Sequence, residues 1–101
     1  MKSKIEIAKE QMLALINGEY DAVDFSVDFA EFCFNNYDEL EKEQEGVGYY
    51  LDQEIPDICD EGEPGFDPTH MIQEIKRVYD KLIEMTDKAL NFGENCYNKN
   101  K

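Results

Sequence analysis

Apolar residues along this chain recur mostly at the helical period, and they predict four helices separated by glycine, proline and acidic breaks. Over residues 4–17, Ile5, Ala8, Met12, Leu15 and Ile16 share one face. Ser3 with Glu6 has the spacing of a capping box, and Gly18 supplies a carboxyl-terminal stop. A second helix is expected from Asp21 or Asp24, which offer alternative caps. It is apolar on several sides through Val23, Phe25, Val27, Phe29, Ala30, Phe32, Cys33 and Phe34. The alternation in this stretch also suits a strand. Phe25, Phe29, Phe32, Asn36 and Leu40 keep helical spacing for longer than an ordinary strand, which favours a helix in the middle of a bundle, its polar end (residues 38–43) reaching into solvent.

Gly46 and Gly48 break the chain, and Val47, Tyr50, Leu51, Ile55 and Ile58 mark a shorter third helix. Pro56 is expected to end or kink it, unless its first part is short and Pro56 opens a second turn. The stretch 60–66 has loop composition. Asp67 then offers a cap and Pro68 a favoured first residue for a fourth helix bearing Ile72, Ile75, Val78, Tyr79, Leu82, Ile83, Thr86, Ala89 and Leu90. This helix should stop near Gly93, leaving residues 94–101 as a frayed tail. The expected fold is all-α, a small antiparallel four-helix bundle, with residues 1–93 forming a single domain.

Charge changes this picture most. The formal charge of the 101 residues is −14. Residues 1–18 and 68–101 each carry a net +1, whereas residues 19–67 hold 17 acidic groups against Lys42 alone. Solubility needs a net charge of only ~2–8 with both signs mixed, so a concentration that costs self-repulsion points to a basic partner. The same field argues against direct binding of nucleic acid or of an anionic membrane surface. The absence of an apolar run near the ~20 residues of a bilayer span, and of an apolar stretch after Met1, leads us to expect a cytoplasmic protein.

Catalytic chemistry finds little support. His70 is the single histidine and falls at the start of the last helix, where an exposed polar residue is ordinary. No nucleophile motif accompanies it. Asp57, Cys59, Glu61 and Gly62 match positions 1, 3, 5 and 6 of a calcium loop, but position 12 is Pro68 where a bidentate Glu is required, and a thiol suits a hard cation badly. Zinc would need Cys33, Cys59, Cys96 and His70 to converge without a close cysteine pair. Cys33 and Cys59 read as small core residues of a reducing compartment. We therefore expect no enzyme, no metal and no cofactor.

Asp24-Phe25 and Asp28-Phe29 in an aromatic helix, Leu51 followed by Ile55-Pro56-Asp57, and an acidic loop leading to Phe66-Asp67-Pro68 and a helix with Ile72, Ile75, Tyr79 and Leu82 form an ordered series. Over roughly residues 5–90 this series resembles the colicin D immunity-type proteins, which include immunity partners of contact-dependent growth inhibition toxins. The polar stretch 39–45 and the tail after Gly93 depart from that pattern. The resemblance implies a protein that binds a cognate ribonuclease toxin domain, often one that cuts tRNA, and covers its basic cleft, here as a monomer in a 1:1 complex. Carboxylates standing where phosphates would lie pair with Lys and Arg of the toxin and hasten encounter. The face expected to do this is Asp52, Glu54, Asp57, Asp60, Glu61, Glu63 and Asp67, with Tyr49 and Tyr50 offering an aromatic anchor. The alternative is an acidic adaptor or regulatory module for another basic protein.

Overall fold

The computed structural model describes residues 2–63 and 65–95, with side chains through Thr86. Five helices follow in order: α1 (Lys4–Ile16), α2 (Ala22–Asn35), α3 (Tyr37–Glu43), α4 (Val47–Cys59) and α5 (Thr69–Asn95). The fold is an all-α bundle in which α5 lies against α1 and α4, α2 against α4 and α1, and α3 against α4 and α1. One hydrophobic cluster draws on all five, with Phe25, Phe29, Met12, Leu40, Leu51, Ile55, Ile75 and Leu82 fully enclosed. Phe29 stacks between Phe25 and Phe32, with ring centroids 4.9 and 6.0 Å away.

Helix α1 accounts for all four of the amide groups that a helix start leaves open. Glu6 N–H donates to Ser3 Oγ and Ser3 N–H to Glu6 Oε1, completing the capping box. Lys4 and Ile5 donate to the two carboxylate oxygens of Glu43, at 2.8 and 2.9 Å. At the other end Gly18, with φ at 80°, lets Gly18 N–H reach Leu15 O and Glu19 N–H reach Ala14 O, closing the helix as expected.

The long second helix of the sequence reading is two helices, so the bundle has five rather than four. Asp21 is the cap, its Oδ2 accepting from Asp24 N–H. The break falls at Asn36, whose φ of −115° and ψ of 18° leave the helical region. Its side-chain Nδ2 and its backbone N–H both donate to Phe32 O, while its own carbonyl accepts from Leu40 N–H to start α3. An Asn offers the backbone such local bonds as a rival to the helix ladder. The expectation that residues 38–43 reach into solvent holds for the exposed Asp38, Glu39, Lys42 and Glu43 but fails at Leu40 and for the segment as a projecting end. The turn swings α3 back onto α1 and α4, burying Leu40 and aiming two of its glutamates at neighbouring helix starts.

Glu41 is the second of those glutamates. Its carboxylate accepts from Gly46 N–H at 3.1 Å and from Tyr49 N–H at 2.7 Å, which holds its pKa below the usual carboxylate range. Helix α4 thus receives its cap from the preceding helix, Gly46 supplying the left-handed backbone at φ 94° that permits the turn. Pro56 neither ends nor kinks α4 out of the helical state. It sits exposed in the last turn, and the helix continues to Cys59. Helix α5 begins at Thr69, one residue later than expected, because Asp67 Oδ1 accepts from both Thr69 N–H and Thr69 Oγ1 while Pro68 O accepts from Ile72 N–H. It continues past Gly93 to Asn95. The rest of the expected frayed tail, with Cys96, lies outside the described residues.

Candidate protein-binding surface

Helix α4 turns Leu51, Ile55 and Ile58 inward, and the helical period then sends its polar residues to two different flanks. On the α5 flank, Glu54, Asp57 and Glu61 meet Glu74, Arg77 and His70 around an open cleft of about 230 Å³. Arg77 donates to Glu54 at 2.7 Å and to Glu74 at 3.0 Å, and both carboxylates raise its pKa further above its ordinary value. His70 Nδ1 lies 2.9 Å from Glu61 Oε2, a contact that pushes the imidazole pKa upward. Two basic groups from α5 therefore engage three carboxylates of this flank.

The α2 flank differs. Ser26 of α2 abuts Gly62 after α4, and Cys33 feels Cys59 and Asp52, so the two helices run antiparallel along this seam. Burial holds both thiols in the neutral form, that of Cys59 being pushed up to about 12. Outward of the seam, α4 and its C-cap expose Tyr49, Asp52, Pro56 and Asp60, and α2 exposes Val27 and Phe34. Tyr49 is 59% exposed, Val27 63% and Phe34 79%. The sequence reading of α2 as apolar on several buried sides is corrected at these two positions. Val27 and Phe34 are seven residues apart, on a stripe away from the Phe25–Phe29 face, and their offset from that face was the available signal.

The nine residues expected to form one face are therefore divided. Glu54 and Glu61 are engaged by α5. Tyr50 is half-buried on the same flank, its phenol pKa raised by desolvation and by Glu54. Asp67 is occupied with the start of α5, and the bonds from Thr69 lower its pKa. Asp52, Asp57, Asp60 and Glu63 are exposed, and none of them enters an ion pair among the described residues. Tyr49 stands open beside them. Sequence reasoning did not anticipate the Arg77 and His70 contacts, since these come from residues 9 to 23 positions away.

The calcium-loop spacing does not assemble. Residues 57–59 are helical, which turns Asp57 outward and Cys59 inward. Among the described residues no three His, Cys, Asp or Glu side chains are grouped to hold a metal ion. No described helix is long and apolar enough to cross a membrane. Comparison of the chain with protein-family models, with curated proteins and with solved structures gives no match.

Proposed function

We propose that this protein is a cytoplasmic immunity protein that neutralises a basic ribonuclease toxin domain, one acting on tRNA, by covering its substrate cleft. The observation that carries the reading is the set Asp52, Asp57, Asp60 and Glu63, exposed on α4 and its loop and outside any described ion pair. Such carboxylates are ready to pair with the Lys and Arg side chains that hold substrate phosphates. They belong to the segment of 17 acids against one lysine, whose field raises the rate of encounter with a basic protein by roughly 10–10³-fold at low salt. In this reading α2 and α3 act as two halves of one arm, giving a four-helix scaffold that presents α4. The protein works by occlusion as a monomer in a 1:1 complex and performs no chemistry. The resemblance to colicin D immunity-type proteins suggested the partner; the support lies in charge and exposure.

An immunity gene lies directly downstream of its toxin gene, so the partner to test is the toxin domain encoded there. Its cleavage of tRNA should fall in proportion to added protein and end near one equivalent, and His70→Ala should inhibit equally well. Inhibition at far less than one equivalent, or none at an excess, overturns the reading.

A further inference from the structure

The outer edge of the α2–α4 seam combines two properties that rarely meet on a solvent-facing helix pair. Val23, Val27, Ala30 and Phe34 recur at steps of four, three and four along one side of α2. Val27 and Phe34 are strongly exposed, and Val23 and Ala30 are half-buried. From Val23 to Phe34 the stripe runs ~16 Å, about three helical turns. On α4, Tyr49 and Pro56 continue its apolar character. Exposed acids border both sides: Asp24 and Glu31 on α2, Asp52 on α4 and Asp60 just after it. No Lys or Arg of residues 19–41 or 43–67 relieves this border, because none exists.

We infer that this seam, rather than the α4–α5 cleft, is the docking centre for a partner helix that carries leucine-like side chains on one face between Lys and Arg. The apolar stripe supplies the area that water leaves on binding, and the acids supply a ring complementary to the basic flanks. A helix laid along a two-helix seam reads such anchors at spacings of three and four. A second copy of this chain would bring another −14 charge and the same acidic border to the contact, and an anionic membrane is repelled likewise. The Arg77–His70 cleft is a poorer centre, since Glu54, Glu61 and Glu74, three of its four carboxylates, already hold internal partners. The inference rests on the proposed function only for the positive charge of the partner.

The test uses two synthetic helical peptides of equal length and charge, one with leucines on one face among lysines, the other with serines replacing those leucines. Titrated into the ¹⁵N-labelled protein, the leucine peptide should shift amide resonances of residues 23–34 and 49–60. It should bind at least about tenfold more tightly than the serine peptide. Phe34→Ser should weaken it about tenfold, the loss expected of an aromatic anchor, and Val27→Ser should act in the same direction. Both exposed sites leave the core untouched, which an unchanged circular dichroism melt verifies. Equal binding of the peptides, no binding, or shifts centred on Glu54, Glu74 and Arg77 overturn the inference. So does a dimer of the protein alone that Phe34→Ser dissociates, since the occupant is then a second copy. Failure to neutralise a nuclease would leave the peptide result standing, and the two proposals fail separately.

Discussion

Gly48→Ala tests how closely α3 and α4 must approach for α4 to be capped. A Cβ at position 48 would lie 2.7 Å from the Tyr37 carbonyl oxygen and 2.8 Å from Glu41 Cγ. Ordinary contact begins near ~3.5 Å, so the helices must separate by roughly 0.8 Å. The nearer atom is backbone and cannot swing aside as a side-chain tip would. Separation also draws the Glu41 carboxylate off Tyr49 N–H, now at 2.7 Å. Overpacking of this kind costs ~1–3 kcal/mol, while replacing helical Gly by Ala returns up to ~1 kcal/mol. The net loss should be about 1–2 kcal/mol, a fall in melting temperature of roughly 4–16 °C for a domain of this size. Thermal and urea melts followed by circular dichroism measure it directly. A melting point equal to or above that of the parent would show that α3 is free to move and that its contact with α4 is loose.

Phe29→Ala removes a ring that is fully enclosed and stacked on two others, and should cost ~3–5 kcal/mol in a urea melt; a loss under ~1 kcal/mol would contradict that burial. Stability against pH should show two opposed signatures in urea midpoints. Glu41 has a lowered pKa in the folded state, so its contribution is present above the ordinary carboxylate range and is lost as pH falls through the folded value; Glu41→Gln should flatten that acid limb. His70 has a raised pKa, so its contribution is present below ~6.5 and is lost as pH rises through the folded value; His70→Gln should flatten the profile there. With the toxin domain of the proposed function, Asp52→Asn, Asp57→Asn and Asp60→Asn together should slow association and reduce its salt dependence, and Glu74→Gln, Asp80→Asn and Glu84→Gln should do so less. Stopped-flow measurements at two salt concentrations separate these outcomes, and equal effects would mean that only total charge matters.

Local signals made most of the fold legible. The Ser3–Glu6 box, the Gly18 stop and the inward stripe of α1 are set within a few residues of one another, and all three are found where the pattern puts them. Leu40 kept its apolar register across the α2–α3 break, which is why one helix was read where two exist. The deciding event, Asn36 taking Phe32 O for its side chain, is a choice between two local bonds that periodicity does not record. The acids were legible as a mass but not as individuals. Glu43 serves a helix 38 residues earlier, Glu54 an arginine 23 residues later, and Asp52 is exposed with no ion pair among the described residues. Only tertiary placement separates these roles, since each is an ordinary carboxylate on a helix. Phe34 shows the converse: its type suggested the interior, and its phase on the helix put it outside.

The seven residues of α3 bear on the order in which the chain can finish folding. During synthesis α1 emerges first, with its Ser3 box formed from neighbours but with Lys4 and Ile5 still reliant on water. Their partner, Glu43, leaves the ribosome about 40 residues later, and Glu41 then meets the start of α4 almost at once, since Gly46 and Tyr49 follow within eight residues. A helix of two turns is too short to persist unaided, so α3 holds its shape only once both neighbours are present to receive its carboxylates. It behaves as a keystone of the bundle: its seating closes the amino ends of a helix made before it and of a helix made after it.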